Sequence, residues 1–328
     1  MSHIPVMLDH VVEHLAPSEG NVLLDGTFGG GGYTRRLLAE ANCRVLGVDR
    51  DPDALKRADD IVASYGDRFT LLPGCFGDLD RLALGVSETK LDGVVLDLGV
   101  SSFQLDQADR GFSFMRDGPL DMRMSRTGPN AADIVNSADE RDLADIIFQL
   151  GEERESRRIA RSLVQARKAT PFETTLQLAD AVENAVGGRR GKKTHPATKT
   201  FQALRMFVND ELGELARGLC AAERALKASG RLVIVTFHSL EDRMVKTFFA
   251  DRSGKTEGGS RFMPQVEQTG PAPSFETLRR VTAPDTAEIA TNVRARSSRL
   301  RSGIRTDSPA WDVEIELPVN LPDLTEFA

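Results

Sequence analysis

Three aspartates each close a short apolar run in this 328-residue chain: Asp25 after Val22-Leu-Leu, Asp49 after Val45-Leu-Gly-Val, and Asp97 after Val94-Val-Leu. Runs of that length without alternation read as strands buried on both faces of a parallel sheet. Acids at the tips of neighbouring strands share one rim, where like charges repel unless they meet something polar or cationic. Directly after the first acid comes Asp25-Gly-Thr-Phe-Gly-Gly-Gly-Gly-Tyr33. Consecutive glycines permit positive φ and remove the Cβ atoms that keep a ligand away from the backbone. In regular structure each costs roughly 0.5–1 kcal/mol relative to Ala, so a run of four implies a purpose. A nucleotide-like ligand over the carboxyl ends of the strands, at the switch point of an open α/β sheet, is the chemistry these residues suit.

The dinucleotide fingerprint G-x-G-x-x-G does not fit, because the sixth position is Thr34 counting from Gly29 and Arg35 counting from Gly30. What fits is Asp25-x-Thr27-x-Gly29-x-Gly31, which resembles the first motif of S-adenosylmethionine (AdoMet) methyltransferases. Asp49 lies 18 residues past Gly31 (49 − 31), where a strand-tip carboxylate can accept hydrogen bonds from ribose hydroxyls. Asp51-Pro52 already supplies a start for the following helix, leaving Asp49 available. Phe76 falls just past a third strand, Phe69–Pro73, where a flat ring either covers an adenine or joins the core. Gly99, Ser101 and Ser102 keep the rim beyond Asp97 small and polar.

The elements that must hold these residues follow a strand–helix rhythm. Residues 5–16 form an amphipathic helix with Leu8, Val11, Val12 and Leu15 on one face, and helices follow at Thr34–Ala41 and Asp53–Tyr65. Within the first, His10-Val-Val-Glu13-His14 has the zinc-peptidase spacing H-x-x-E-H, but both histidines fall opposite the apolar stripe, as surface residues do. From Gln107 to about Thr200 the rhythm stops. A loop with alternating charge and bulk, Asp109–Met124, precedes helices near Leu143–Phe148 (behind a Ser137-x-x-Glu140 capping box), Arg154–Lys168 and Thr175–Val186. A long helix, Thr198–Ala228, returns to a fifth strand, Arg231–Thr236, and Leu278–Thr282 and Asp312–Leu317 alternate like edge strands. The fold expected is α/β: a Rossmann-like sheet from residues 1–106 and 206–328, with a helical insertion at 107–205. Residues 252–275, rich in Gly, Ser and Pro, read as a mobile loop.

Net charge is −7, from 42 Lys and Arg against 49 Asp and Glu, which excludes a protein that coats nucleic acid indiscriminately. Two local basic stretches remain: Gly187–Lys193, carrying Arg189, Arg190, Lys192 and Lys193, and Arg294–Arg305, with five arginines and no acid. Three scattered cysteines disfavour a disulfide framework or zinc knuckle. No apolar run suits a membrane span or signal peptide, so a cytoplasmic location is expected.

Several longer blocks are specific. They include His3-x-Pro5-Val6, Asp25–Gly32, Val48-Asp-Arg-Asp51, Asp97-Leu-Gly-Val-Ser-Ser102, Arg110–Arg123, His195–Arg205, Phe237-His-Ser-Leu-Glu-Asp-Arg243 and Arg294-Ala-Arg-Ser-x-x-Leu-Arg301. Through these the chain resembles, over nearly its whole length, the RsmH (MraW) methyltransferases, which modify N4 of a cytosine in the decoding region of 16S ribosomal RNA. The resemblance implies the class I AdoMet-dependent fold. It implies Gly31, Gly32 and Tyr33 at the methionine end of AdoMet, Asp49 at the ribose, Phe76 at the adenine, and Asp97 with Gln104 along the remaining polar edge. It also implies the small ribosomal subunit as substrate, with Arg189, Arg190, Arg294 and Arg296 on phosphates. Two departures stand out: Phe103 where Pro is common before the glutamine, and Tyr33 where His is frequent.

As cytosine N4 attacks it must lose a proton, and Asp97 and His238, at the ends of the fourth and fifth strands, are the candidate acceptors. The target base must leave its stack, and Phe103, Phe112 and Phe114 either receive it or belong to the core. Two other readings fit parts of the chain: a small-molecule methyltransferase, which the arginine-rich stretches and insertion oppose, and a non-enzymatic RNA-binding assembly factor with a vestigial pocket. Oligomeric state, a homodimer included, is left open.

Overall fold

The computed structural model describes residues 5–189, 191, 194–254, 270–278 and 281–327. Among these, seven strands form one sheet: β1 (Val22–Asp25), β2 (Arg44–Asp49), β3 (Phe69–Pro73), β4 (Leu91–Asp97), β5 (Leu226–Thr236), β6 (Phe275–Thr277) and β7 (Arg299–Arg305). Their order is β3-β2-β1-β4-β5-β7-β6. The first five run parallel, and β7 pairs antiparallel with both β5 and β6. The Rossmann-like α/β class expected from the strand–helix rhythm is therefore the class observed. Leu23, Leu24, Val45, Leu46, Val94, Val95, Val233 and Ile234 are buried, as strands covered on both faces require. Because β1 is flanked by β2 on one side and β4 on the other, successive connections leave in opposite directions there, and a crevice opens at the carboxyl ends.

The chain forms two compact units, residues 1–99 with 213–316 and residues 100–212 with 317–328. The second unit is helical. Thr174 caps the helix Thr175–Val186 through a reciprocal box with Gln177, and Asn130 does the same for Ala131–Ser137 with Asp133. Gly151 is required by close packing, since a Cβ there would stand 2.6 Å from the Lys199 carbonyl. The terminal segment joins this unit through Asn320, which exchanges hydrogen bonds of 2.7 Å with Gln149, and through Phe327 packed edge-on against Phe207.

Several local expectations are corrected. The helix after β2 is interrupted, running as Pro52–Leu55, a 3-10 turn at Lys56–Ala58, and Asp59–Tyr65. The long helix 198–228 is two helices, Thr198–Val208 and Glu211–Ala225, and Leu226–Ser229 belong to β5. The break falls at Asn209, whose buried amide donates to the Met122 and Arg205 carbonyls (2.7 and 2.8 Å) and accepts from the Met124 amide (2.8 Å), while Asp210 takes positive φ. Ser137 ends its own helix rather than capping the next; Asp139 caps Glu140–Gly151 by accepting from the Asp142 amide at 2.7 Å. The expected edge strand Asp312–Leu317 is not a strand, and of the expected strand Leu278–Thr282, whose residues 279 and 280 lie outside the described residues, Thr282 forms an isolated bridge to Leu300. Most of 252–275 lies outside the described residues, but Phe275 opens β6.

Candidate functional site

The turn after β1 is held by backbone bonds on both sides. Gly26 donates to the Val95 carbonyl of β4 (2.9 Å) and Phe28 to the Val48 carbonyl of β2 (3.0 Å). Thr27 Oγ1 accepts from the Asp97 amide at 2.7 Å, so the motif threonine ties the turn to the tip of β4. Gly29 and Gly31 take left-handed backbone, φ +54° and +71°. The four glycines do not act alike. A Cβ on Gly31 would collide with Ile61 and the Phe28 ring, and one on Gly32 with Pro5, so these two are glycine partly because the chain packs against them. Gly29 meets nothing closer than the Thr27 carbonyl at 3.7 Å. At that position the backbone stands open.

The three strand-tip acids differ in environment. Asp25 is fully buried; Thr34 donates to it at 2.8 Å and the Thr27 amide at 3.3 Å. Burial, with a smaller contribution from Asp49, pushes its pKa up to about 6 against those hydrogen bonds. Asp49 accepts from the Gly29 amide (2.7 Å) through one oxygen and the Asp51 amide (2.8 Å) through the other. Each oxygen keeps a second lone pair. Burial still raises its pKa, and helix capping is left to Asp51, which accepts from Asp53. Asp97 is the extreme case: burial first, then the Asp25 charge, raise its pKa well above the ordinary carboxylate range. Its Oδ1 is buried and has no hydrogen-bond partner among the described residues.

Tyr33 is buried, and its hydroxyl donates to the Val6 carbonyl. Phe76 is half-buried in a 3-10 turn after β3, its ring against Gly218, where a Cβ would strike it at 2.5 Å. Its turn is pinned by the buried Glu214, which accepts from the Gly77 amide at 2.6 Å. In the other unit, Gln104 is buried, and its side-chain oxygen accepts from the Ser101 amide at 2.9 Å in a reciprocal cap of the helix Ser102–Asp106. Thr27 belongs to the alternate-position motif read from the sequence, whereas Thr34 and Glu214 carry no sequence signal of their own.

The structure places His238, the other candidate proton acceptor, at the N-cap of the helix Ser239–Arg252. Its Nδ1 accepts from the Glu241 amide at 3.4 Å at the start of Ser239–Arg252, while Glu241 accepts from the Phe237 amide at 2.9 Å. With Nδ1 engaged as acceptor, the neutral ring carries its proton on Nε2, which lies 3.0 Å from Glu241 Oε1 without hydrogen-bond alignment. His14 is corrected: it is buried, its Nδ1 2.6 Å from Ser302 Oγ, rather than on a solvated face. Phe112 is buried core, and Phe114 packs between His195 and Phe201 at 4.7 Å from each; Phe103 sits half-buried in its short helix.

The basic stretches resolve unevenly. Arg189 lies 3.7 Å from Glu183; Arg190, Lys192 and Lys193 fall outside the described residues. The arginine-rich stretch is not a loop throughout: Val293–Ser297 is a 3-10 turn exposing Arg294 and Arg296, and the rest is β7. Within β7, Arg301 forms a two-pronged pair with Asp242 (2.8 and 3.0 Å), and buried Arg305 donates to the Glu223 and Ser274 carbonyls (3.0 and 2.9 Å).

A parallel sheet with a reversed edge, a glycine turn and acids at three strand tips defines a Rossmann-like enzyme of the methyltransferase class. Residues 1–305 match the MraW methylase family, and the chain belongs to that family. It is 61% identical over 326 residues to the ribosomal RNA small subunit methyltransferase H of Hyphomonas neptunium, covering 99% of this chain and 95% of that one. It is 56% identical over 312 residues to the protein of the same name from Caulobacter vibrioides, covering 94% and 97%. Among solved structures it is similar to a putative rRNA-methylase from Clostridium thermocellum, with 13% identity, a TM-score of 0.42, and coverage of 93% and 100%.

Proposed function

We propose that this protein transfers a methyl group from AdoMet to N4 of a cytosine in 16S ribosomal RNA, within the small ribosomal subunit. Family membership and full-length relatives named as small-subunit ribosomal RNA methyltransferases support the substrate class. The observation that carries the cofactor is the orphaned Oδ1 of Asp97, a buried carboxylate oxygen that lacks any donor beside a glycine turn open at Gly29. A buried polar atom without a partner calls for an explanation, and beside an open glycine turn a bound ligand supplies one.

The residues present fit such a donor. Asp49, with a spare lone pair on each oxygen, suits ribose hydroxyls; Asp97 suits a cationic amine; Phe76 suits an adenine face; and the turn Gly29–Gly32, with Tyr33 behind it, suits the methionine end. When bound, AdoMet supplies an electrophilic methyl on a sulfonium. The chain's own task is alignment: the bonds from Gly26 to β4, Phe28 to β2 and Asp97 to Thr27 hold the turn and the rim as one rigid piece. Asp97 is also retained as the candidate proton acceptor, because it ends β4 beside the glycine turn with one oxygen unengaged among the described residues. His238, engaged as a cap, is not retained in that role.

The test is incubation of the protein with labelled AdoMet and small subunits lacking the modification, followed by mapping of the labelled nucleotide. Label on a cytosine N4 is expected; label elsewhere, or none, defeats the reading. Asp97→Asn separates its two duties. Loss of AdoMet affinity identifies a binding group, whereas a fall in kcat at saturating AdoMet identifies a proton acceptor.

A further inference from the structure

Both turns of the helix Ser239–Arg252 nearest its start, and the corner that leads into β7, face one open cavity of about 650 Å³. Arg243 and Lys246, three residues apart and so on one face of the helix, line one side; Arg296 and Arg299 line the other. Ser239 and Ser297 add hydroxyls. Among the described residues the single acid in the lining is Asp242, and its two oxygens are taken by Arg301 of β7. Lys246, Arg296 and Arg299 are exposed and have no acidic partner among the described residues. Four cations around one opening, with the local carboxylate already neutralised, produce a positive potential in a protein whose net charge is −7.

Such a site suits an anion with several oxygens and an approach open to solvent. Resting on the ribosomal RNA reading above, we propose that this cavity is a backbone-phosphate seat for the RNA, with Lys246, Arg296 and Arg299 as its principal charges and Arg243 beside them. Arg296 and Arg299 belong to the arginine-rich stretch Arg294–Arg305 read from the sequence, whereas Arg243 and Lys246 are added by the structure. The two-pronged Asp242–Arg301 pair has a defined part in it. It removes the one negative charge from the cavity and fixes the helix to β7, so that both sides of the seat are held at constant spacing. Phosphate contacts of this kind set register without reading sequence.

The experiment measures equilibrium binding of the full chain to small ribosomal subunits across a series of salt concentrations, for the wild type and for Lys246→Ala/Arg299→Ala. Each lost phosphate contact lowers the slope of log K against log salt by about 0.7–0.9, so the double variant is expected to lose about 1–2 from the slope. Affinity at low salt should fall tenfold or more, with AdoMet affinity unchanged. Lys246→Arg/Arg299→Lys, which keeps the charges, should restore both. An unaltered slope and affinity in the double variant overturns the seat, as does failure of the wild type to bind subunits. Displacement of subunits by low millimolar inorganic phosphate at constant ionic strength would overturn it too, by identifying a small-anion site. Methyl transfer is scored separately: subunits bound with the expected slope but never methylated would defeat the proposed activity and leave the seat standing.

Discussion

At the carboxyl ends of β1 and β4, Asp25 is buried and Asp97 is half-buried with its Oδ1 enclosed, and no cation is among the groups that set their pKa values. Along β7, by contrast, Arg301 and Arg305 are matched to a carboxylate and to carbonyls with bonds of 2.8–3.0 Å. Both regions look alike in sequence, as clusters of one sign. Their partners differ. Buried charge that is fully matched holds a structure together, whereas buried charge left short of partners stores a cost that a proton or a ligand relieves. The first region therefore reads as a binding site, and half of the second as architecture.

That contrast breaks first on pH. Asp25 titrates near 4 in an unfolded chain and at about 6 in the folded one. The folded state binds the extra proton between those values, so stability falls as pH rises from 4 to 7, by about 3 kcal/mol at about 1.36 kcal/mol per unit. Denaturant unfolding of the wild type and Asp25→Asn should show that slope in the first and a flatter one in the second. A wild-type protein that gains stability over this range would contradict the burial argument.

Next comes the ligand. Asp49→Ala is expected to weaken AdoMet binding about a hundredfold or more, roughly 2.7 kcal/mol, measured by calorimetry. An unchanged affinity removes Asp49 from the pocket. For the architectural side, Arg305→Met leaves the Glu223 and Ser274 carbonyls without their donor. A stability loss of roughly 2 kcal/mol should follow, with AdoMet affinity intact. A variant as stable as the wild type would show that β7 does not depend on its buried arginine.

The smallest expected effect on stability is that of Arg294→Glu/Arg296→Glu, within about 0.5 kcal/mol, because both side chains are exposed. The same variant should keep AdoMet binding and lose methyl transfer to small subunits. Retained transfer would clear the turn of a substrate role.

Elements whose signals are local came through the sequence closely. The helix Thr175–Val186 has the boundaries its pattern implied, with Thr174 and Gln177 forming its cap. The first four strands end at or next to the expected residues, because an apolar run followed by Asp or Pro is complete in itself. Errors came where a distant group decided the matter. Helical periodicity continues through Asn209, but its amide is captured by the Met122 and Met124 backbone some 85 positions away. The arginines of β7 look like a loop because their acceptors, Asp242, Glu223 and Ser274, are contributed by other elements.

The chemistry of this protein was thus set out in part by the sequence alone: a turn whose left-handed backbone favours glycine at Gly29 and Gly31, acids at three strand tips, and the threonine between them. Residue type and spacing suffice for these, since backbone dihedrals and strand ends are local properties. Which acid is left without a partner, which histidine is engaged as a cap, and which arginines face solvent were decided by tertiary structure. Burial and hydrogen-bond matching depend on what packs against a group, and the groups that do so here come from distant parts of the chain.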